Sequence, residues 1–173
     1  MTKISIVLTT FNLQNIISET LSSLVGQSFP DYEIVVVDDG SSDKTFEIVE
    51  KYAKSFPFIK PFKIEHLGAG CARNEGFKKT IGEYILFLDG DDVFDSDFLY
   101  EMYKKITQEK AEMVICNSKE FYCSPKNITK THTNDDYPIG WAWDKLISRK
   151  LIEKYDLKFS ELSSSNDLSF TYG

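Results

Sequence analysis

Short runs of β-branched and aliphatic residues at positions 4–8, 34–37 and 84–88 alternate with stretches whose apolar residues recur every three or four positions. No other feature constrains the fold as much. Short continuous apolar runs read as strands covered on both faces. Between the first two runs, Ile17, Leu21 and Leu24 have the spacing of one helix face packed on a sheet. Phe46, Val49 and Ala53 repeat that pattern after the second run, with Ser42 or Asp43 available as N-cap. A weaker strand over 61–65 precedes a third helix over 69–81, which Gly82 can close. Strand and helix in alternation, with short connections, call for right-handed βαβ units and a parallel sheet. The fold class is α/β.

After position 92 the pattern loosens. Phe98, Met102 and Ile106 mark a helix and residues 113–116 a strand, while 117–136 form a polar stretch that suits a loop or a hairpin insertion. Residues 141–149 are apolar and aromatic, 151–155 suit a short helix, and 160–166 a serine-rich loop. The length of 173 residues fits one domain.

The chain carries 27 acidic and 20 basic residues, the latter all lysine except Arg73 and Arg149, for a net charge of −7. Such a field repels phosphate backbones and argues against a nucleic-acid partner. A phosphate-bearing ligand would need a local cation or a metal. Cys71, Cys116 and Cys123 are odd in number and lack paired CxxC spacing, which suggests neither a disulfide framework nor a zinc site. No segment reaches a membrane span or a signal h-region. The expected setting is cytoplasmic, with peripheral attachment to the inner face of a membrane compatible. Nothing in the sequence specifies an oligomeric state.

In open α/β sheets ligands sit beyond the carboxyl ends of the strands. The three strong strands end in Thr9-Thr10-Phe11-Asn12, Asp38-Asp39-Gly40-Ser41-Ser42 and Asp89-Gly90-Asp91-Asp92. Parallel strands bring these to one edge, so five carboxylates are expected around one crevice, where a divalent cation is the economical compensation. In Asp89-x-Asp91 two carboxylates project to the same side, which suits Mg²⁺ or Mn²⁺ bridging a diphosphate. The same triplet is also ordinary turn chemistry, and the second acidic strand end tips the reading toward a site. Asp39 is placed to hydrogen-bond a nucleoside. Arg73, at the start of the third helix, favours an anion. Gly68-Ala69-Gly70 fails the dinucleotide fingerprint because Arg73 stands at its third glycine, and no P-loop is present. An aspartyl phosphatase lacks its first-strand nucleophile. His66 and His132, isolated in sequence, read as surface or core residues.

Four stretches in order, Ile4-Ser5-Ile6-Val7-Leu8-Thr9-Thr10-Phe11-Asn12, Val-Val-Asp-Asp-Gly-Ser-Ser within 33–42, Ala-Arg-Asn-x-Gly within 70–76 and Leu88-Asp89-Gly90-Asp91-Asp92, resemble the inverting family 2 glycosyltransferases. The resemblance implies a GT-A fold, a three-layer α/β/α sandwich on a mainly parallel sheet, and a metal-dependent enzyme. Such an enzyme moves a sugar from a nucleoside-diphosphate sugar, UDP-linked in the first instance, to an acceptor hydroxyl on a carbohydrate or lipid-linked molecule. It also implies roles: Thr9 and Phe11 at the nucleoside, Asp39 toward uracil or ribose, Arg73 near the nucleotide, Asp89 toward ribose or metal water, and Asp91 on the metal, Mg²⁺ or Mn²⁺. Phe11 stands where the family more often has Tyr, which keeps stacking and loses a hydroxyl.

Trp143-Asp144-Lys145-Leu146, then Arg149-Lys150-Leu151 and Phe159, is similar to the segment leading to the family's Glu-Asp base. Here that pair is Asn166-Asp167, which makes Asp167 the base. Trp141 and Trp143 read as buried aromatics ahead of an acceptor platform. One domain is expected, with residues 1–92 as the nucleotide-sugar half and 93–173 as a partial acceptor half, truncated soon after Asp167. The alternative is a nucleotide-sugar-binding fragment without turnover.

Overall fold

β1 (Ile4–Thr10) lies inside a six-stranded sheet, flanked in parallel by β2 (Tyr32–Asp39) and β4 (Tyr84–Asp89). The computed structural model describes residues 2–121, 128–132 and 143–160. β3 (Ile59–Ile64) pairs in parallel outside β2. On the opposite side β8 (Lys145–Ser148) runs antiparallel between β4 and β5 (Met113–Ile115), giving the order β3-β2-β1-β4-β8-β5.

Helices cover both faces, which is why all seven residues of β1 are buried and its sequence shows no polar alternation. α1 (Ile17–Val25), α2 (Thr45–Ser55) and α4 (Phe98–Glu109) seat Ile17, Leu21, Leu24, Val49, Leu99, Met102 and Ile106 against Ile6, Leu8, Val36 and Leu86. α3 (Ala69–Phe77) covers Val35 and Val37 on the other face. There α5 (Arg149–Lys154) adds Ile152 beside Val7, Ile85 and Phe87. The result is the expected three-layer α/β/α architecture.

Two local expectations are corrected. The third helix stops at Phe77 instead of reaching residue 81, and Gly82 does not cap it. The Gly82 N–H donates to Ser5 Oγ at 2.7 Å, and a Cβ there would lie 2.6 Å from Ser5 N, so glycine is needed for close approach to β1. The N-cap position of α2 is Lys44, with no side-chain cap bond; Asp43 instead accepts from Thr45 N at 2.9 Å and Gln14 N at 3.1 Å. Within 117–136, β6 (Ser118–Phe121) and β7 (Ile128–His132) form an antiparallel pair, the hairpin form of the polar stretch. Among the described residues no helix is long and apolar enough to cross a membrane.

Candidate functional site

The chain runs outward from β1 to β3 on one side and returns to place β4 on the other, so the strand order reverses between β1 and β4. A crevice opens beyond the carboxyl ends of strands at such a point. The pairing register sets Thr9 opposite Asp89 and Thr10 opposite Asp38. Thr9 Oγ1 donates to Asp89 Oδ1 at 3.1 Å, and Arg73 Nη2 donates to the same oxygen at 2.8 Å. Arg73 sits in the second turn of α3, only 5% exposed, with its guanidinium 5.1 Å from the centre of the Phe159 ring. It is therefore a buried, oriented cation and not a solvated surface arginine.

The second acidic strand end divides into two roles. Asp38 is fully buried and turns inward, accepting from Ser41 N at 2.9 Å and Thr10 Oγ1 at 3.3 Å, with Lys63 Nζ at 3.8 Å. This is turn chemistry that fixes the loop after β2. Asp39 faces the segment after β3: its Oδ1 accepts from Leu67 N at 2.8 Å, and its Oδ2 from Gly68 N at 3.0 Å and His66 Nδ1 at 2.8 Å. The His66 ring stacks on Phe11, which is 42% exposed at the rim. His66 is thus a surface residue, as expected, but one tied to Asp39 and Phe11. The strand-end rule that singled out Asp39 would have found it had it been applied to the weak third strand.

The expected convergence of five carboxylates is accordingly reduced to three, because Asp38 and Asp39 take their compensation from neighbouring loops. In the loop after β4, burial, followed by the charges of Asp89 and Asp91, pushes Asp92 up to about 7. Gly90 allows this crowding: its N–H donates to Thr9 O at 2.9 Å, and a Cβ would meet Thr10 Cγ2 at 2.8 Å. Of the three carboxylates at this strand end, Asp89 is engaged by Arg73 and Thr9, and Asp91 is the exposed one. Among the described residues no group of three or more His, Cys, Asp and Glu side chains could hold a metal ion. Mg²⁺ or Mn²⁺ would therefore depend on water and ligand phosphate, as these ions commonly do.

Asp144 and Lys145 form a buried ion pair where β8 begins, beside this edge. Burial, then the Asp144 charge, pushes the Cys116 thiol up to about 12, which leaves it unreactive. Cys71 and Cys116 are not disulfide-bonded to each other, and Cys123 lies outside the described residues. Asp167, Asn166 and Trp141 also lie outside them, and Trp143 is half-buried.

A mainly parallel sheet between helical layers, with an arginine- and carboxylate-lined crevice at its switch point, defines an α/β fold of the GT-A type. Residues 5–165 match the family model described as Glycosyl transferase family 2. The chain belongs to that family. It is 28% identical over 182 residues to the cholesterol galactosyltransferase of Borreliella burgdorferi, covering 90% of this chain and 51% of that protein. It is 38% identical over 183 residues to the poly(ribitol-phosphate) beta-glucosyltransferase of Bacillus spizizenii, covering 98% of this chain and 29% of that one. The crystal structure of S. aureus TarS 1-349 in complex with UDP-GlcNAc superposes with a TM-score of 0.85 at 28% identity, covering 98% of this chain and 52% of that chain. The chain thus spans about half, or less, of the length of these relatives.

Proposed function

We propose that the chain is the donor-binding part of a metal-dependent, inverting glycosyltransferase that takes a UDP-sugar and glycosylates a hydroxyl of a carbohydrate or lipid-linked acceptor. The observation that carries this reading is the Arg73–Asp89–Thr9 junction beside Phe11 and Asp39 at the sheet's switch point, in a member of family 2. The uridine donor is supported by S. aureus TarS, which has been solved with UDP and with UDP-GlcNAc. Residues 1–92 would supply the donor side and 93–173 begin the acceptor side of one domain.

In this reading Phe11 offers a ring face to the base and Asp39 accepts a base or ribose donor. Thr9 lines the nucleoside, and Arg73 holds Asp89 toward the ribose while adding positive charge beside the diphosphate. Asp91 would hold a divalent cation, which when bound would supply charge to stabilise the departing diphosphate. Asp167 takes the proton of the acceptor hydroxyl as its oxygen bonds to the anomeric carbon and the bond to the diphosphate breaks on the opposite face, inverting that centre.

Two measurements test this. Calorimetric titration of UDP should show at least about tenfold tighter binding with Mn²⁺ than without, and Asp91→Ala should remove that difference. Metal-independent binding, unchanged by the substitution, would sink the metal assignment. With a panel of acceptors, Asp167→Asn should lower turnover by about 10²- to 10⁴-fold while leaving UDP affinity unchanged. Full transfer by that variant would rule Asp167 out as the base. UDP binding without turnover on any acceptor would favour the second reading, a nucleotide-sugar-binding domain, which the chain's half-length coverage of its relatives keeps in play.

A further inference from the structure

His66 lies two residues beyond β3, on the carboxyl edge of the sheet, and makes two contacts at once. Its imidazole stacks face to face on Phe11, ring centres 4.1 Å apart and planes 10° from parallel. The same ring brings Nδ1 to 2.8 Å from Asp39 Oδ2. An ionised carboxylate only accepts, so Nδ1 carries the proton in this pairing. A flat nitrogen heterocycle with one face on Phe11 and one N–H on Asp39 reproduces the two contacts proposed above for a pyrimidine base.

The imidazole already takes one face of Phe11 and Oδ2 of Asp39. Oδ2 of Asp39 already accepts from Gly68 N and from the imidazole, which fills its two lone pairs, and the carboxylate residue is 3% exposed. Two rings in contact also leave no gap for a third between them. The His66 side chain itself is 57% exposed, so it can rotate outward without opening the core.

We infer that His66 is an internal competitor for the base subsite: its imidazole holds the position of the pyrimidine ring, and a uridine nucleotide enters by displacing it. His66 thereby sets the nucleotide affinity of the site. The inference rests on the reading of Phe11 and Asp39 as the base subsite.

The test is calorimetric titration of UDP and of pyrophosphate into the wild-type, His66→Ala and His66→Ser chains. Giving up one aromatic stack predicts UDP binding about threefold to tenfold tighter in both variants. Pyrophosphate, which carries no base, should bind all three chains equally. A damaged fold would weaken binding, so a gain in affinity separates competition from structural loss. His66 and His132 are the two histidines of the chain, so the imidazole Cε1–H signal missing from the His66→Ala spectrum identifies His66. Saturating UDP should move that signal away from its position under the Phe11 ring current.

Equal or weaker UDP binding in both variants, or a His66 signal unmoved at saturation, overturns the competitor. A separate outcome overturns the underlying base subsite, and the competitor with it: an Asp39→Asn substitution that leaves UDP affinity unchanged in the His66→Ala chain.

Discussion

The Arg73→Ala chain is expected to bind UDP about a hundredfold more weakly than the wild type and to lose about 2 kcal/mol of stability. Both effects come from one guanidinium. Arg73 is 5% exposed, holds Asp89 Oδ1 at 2.8 Å and lies over the Phe159 ring. Removing it leaves Asp89 without its charged partner beside Asp91 and Asp92, a loop in which Asp92 already rises to about 7. The Asp89 side chain is 31% exposed, so water recovers part of the loss, and the stability figure is set below the range for a fully buried pair. Binding suffers more, because the positive charge that the guanidinium places beside the proposed diphosphate site is lost. Arg73→Lys should restore stability in part but not affinity, since an ammonium does not reproduce a guanidinium held over the Phe159 ring with Nη2 on Asp89. Urea denaturation and UDP calorimetry on the two variants measure the two effects separately. Unchanged UDP affinity in Arg73→Ala would reduce Arg73 to a structural role.

The Glu33→Ala chain is expected to lose about 3 kcal/mol of folding stability with no direct effect on the crevice, which lies at the other end of the sheet. Glu33 is 2% exposed near the start of β2. Its Oε1 accepts from Ser5 Oγ at 2.6 Å and Ile81 N at 2.8 Å, and its Oε2 from Lys60 Nζ at 2.6 Å. Burial alone would raise this carboxyl; Lys60, Ser5 and the Ile81 N–H outweigh burial and hold it below its ordinary 4.5. A depressed folded value means that the stabilisation is fully present above the unfolded value and is lost as the pH falls through the folded one. The gap between wild type and variant should therefore be widest at neutral pH and close under acid, well below 4.5. Most of the effect belongs to the two buried hydrogen bonds, because the Lys60 side chain is 40% exposed. Denaturation curves from neutral pH downward measure it, and a gap that widens in acid would contradict the assignment.

What could be read from the sequence was governed by period and length. β1, β2 and β4 are long runs covered on both faces, and the stripes of Ile17, Leu21 and Leu24, and of Phe98, Met102 and Ile106, each cover one face of the sheet, so both signals are strong. β8 was invisible for the opposite reason. It has four residues and begins with Lys145, a type that signals solvent, yet that lysine is buried in a pair with Asp144. The end of the third helix was missed because Thr80 and Ile81 continue an acceptable helical composition, whereas the backbone there turns to bring Gly82 onto Ser5. At the crevice, residue types announced Thr9, Asp39, Arg73 and Asp89. The inward turn of Asp38 depends on Ser41 and Thr10, and the position of His66 on Phe11 and Asp39, pairings across loops that spacing along the chain does not encode.

The antiparallel insertion of β8 between β4 and β5 also sets an order of assembly. During synthesis β4 emerges with one edge satisfied by β1, while its other edge waits for residues 145–148, some sixty positions later. Until they arrive, the strand that delivers Asp89 presents a bare ladder of N–H and C=O groups to any other nascent chain. Such distant pairing is slow, and the interval before it is the period of greatest exposure to aggregation. The parallel half of the sheet can form early, but the edge of β4 that carries its acidic loop is sealed only after residues 145–148 have been made.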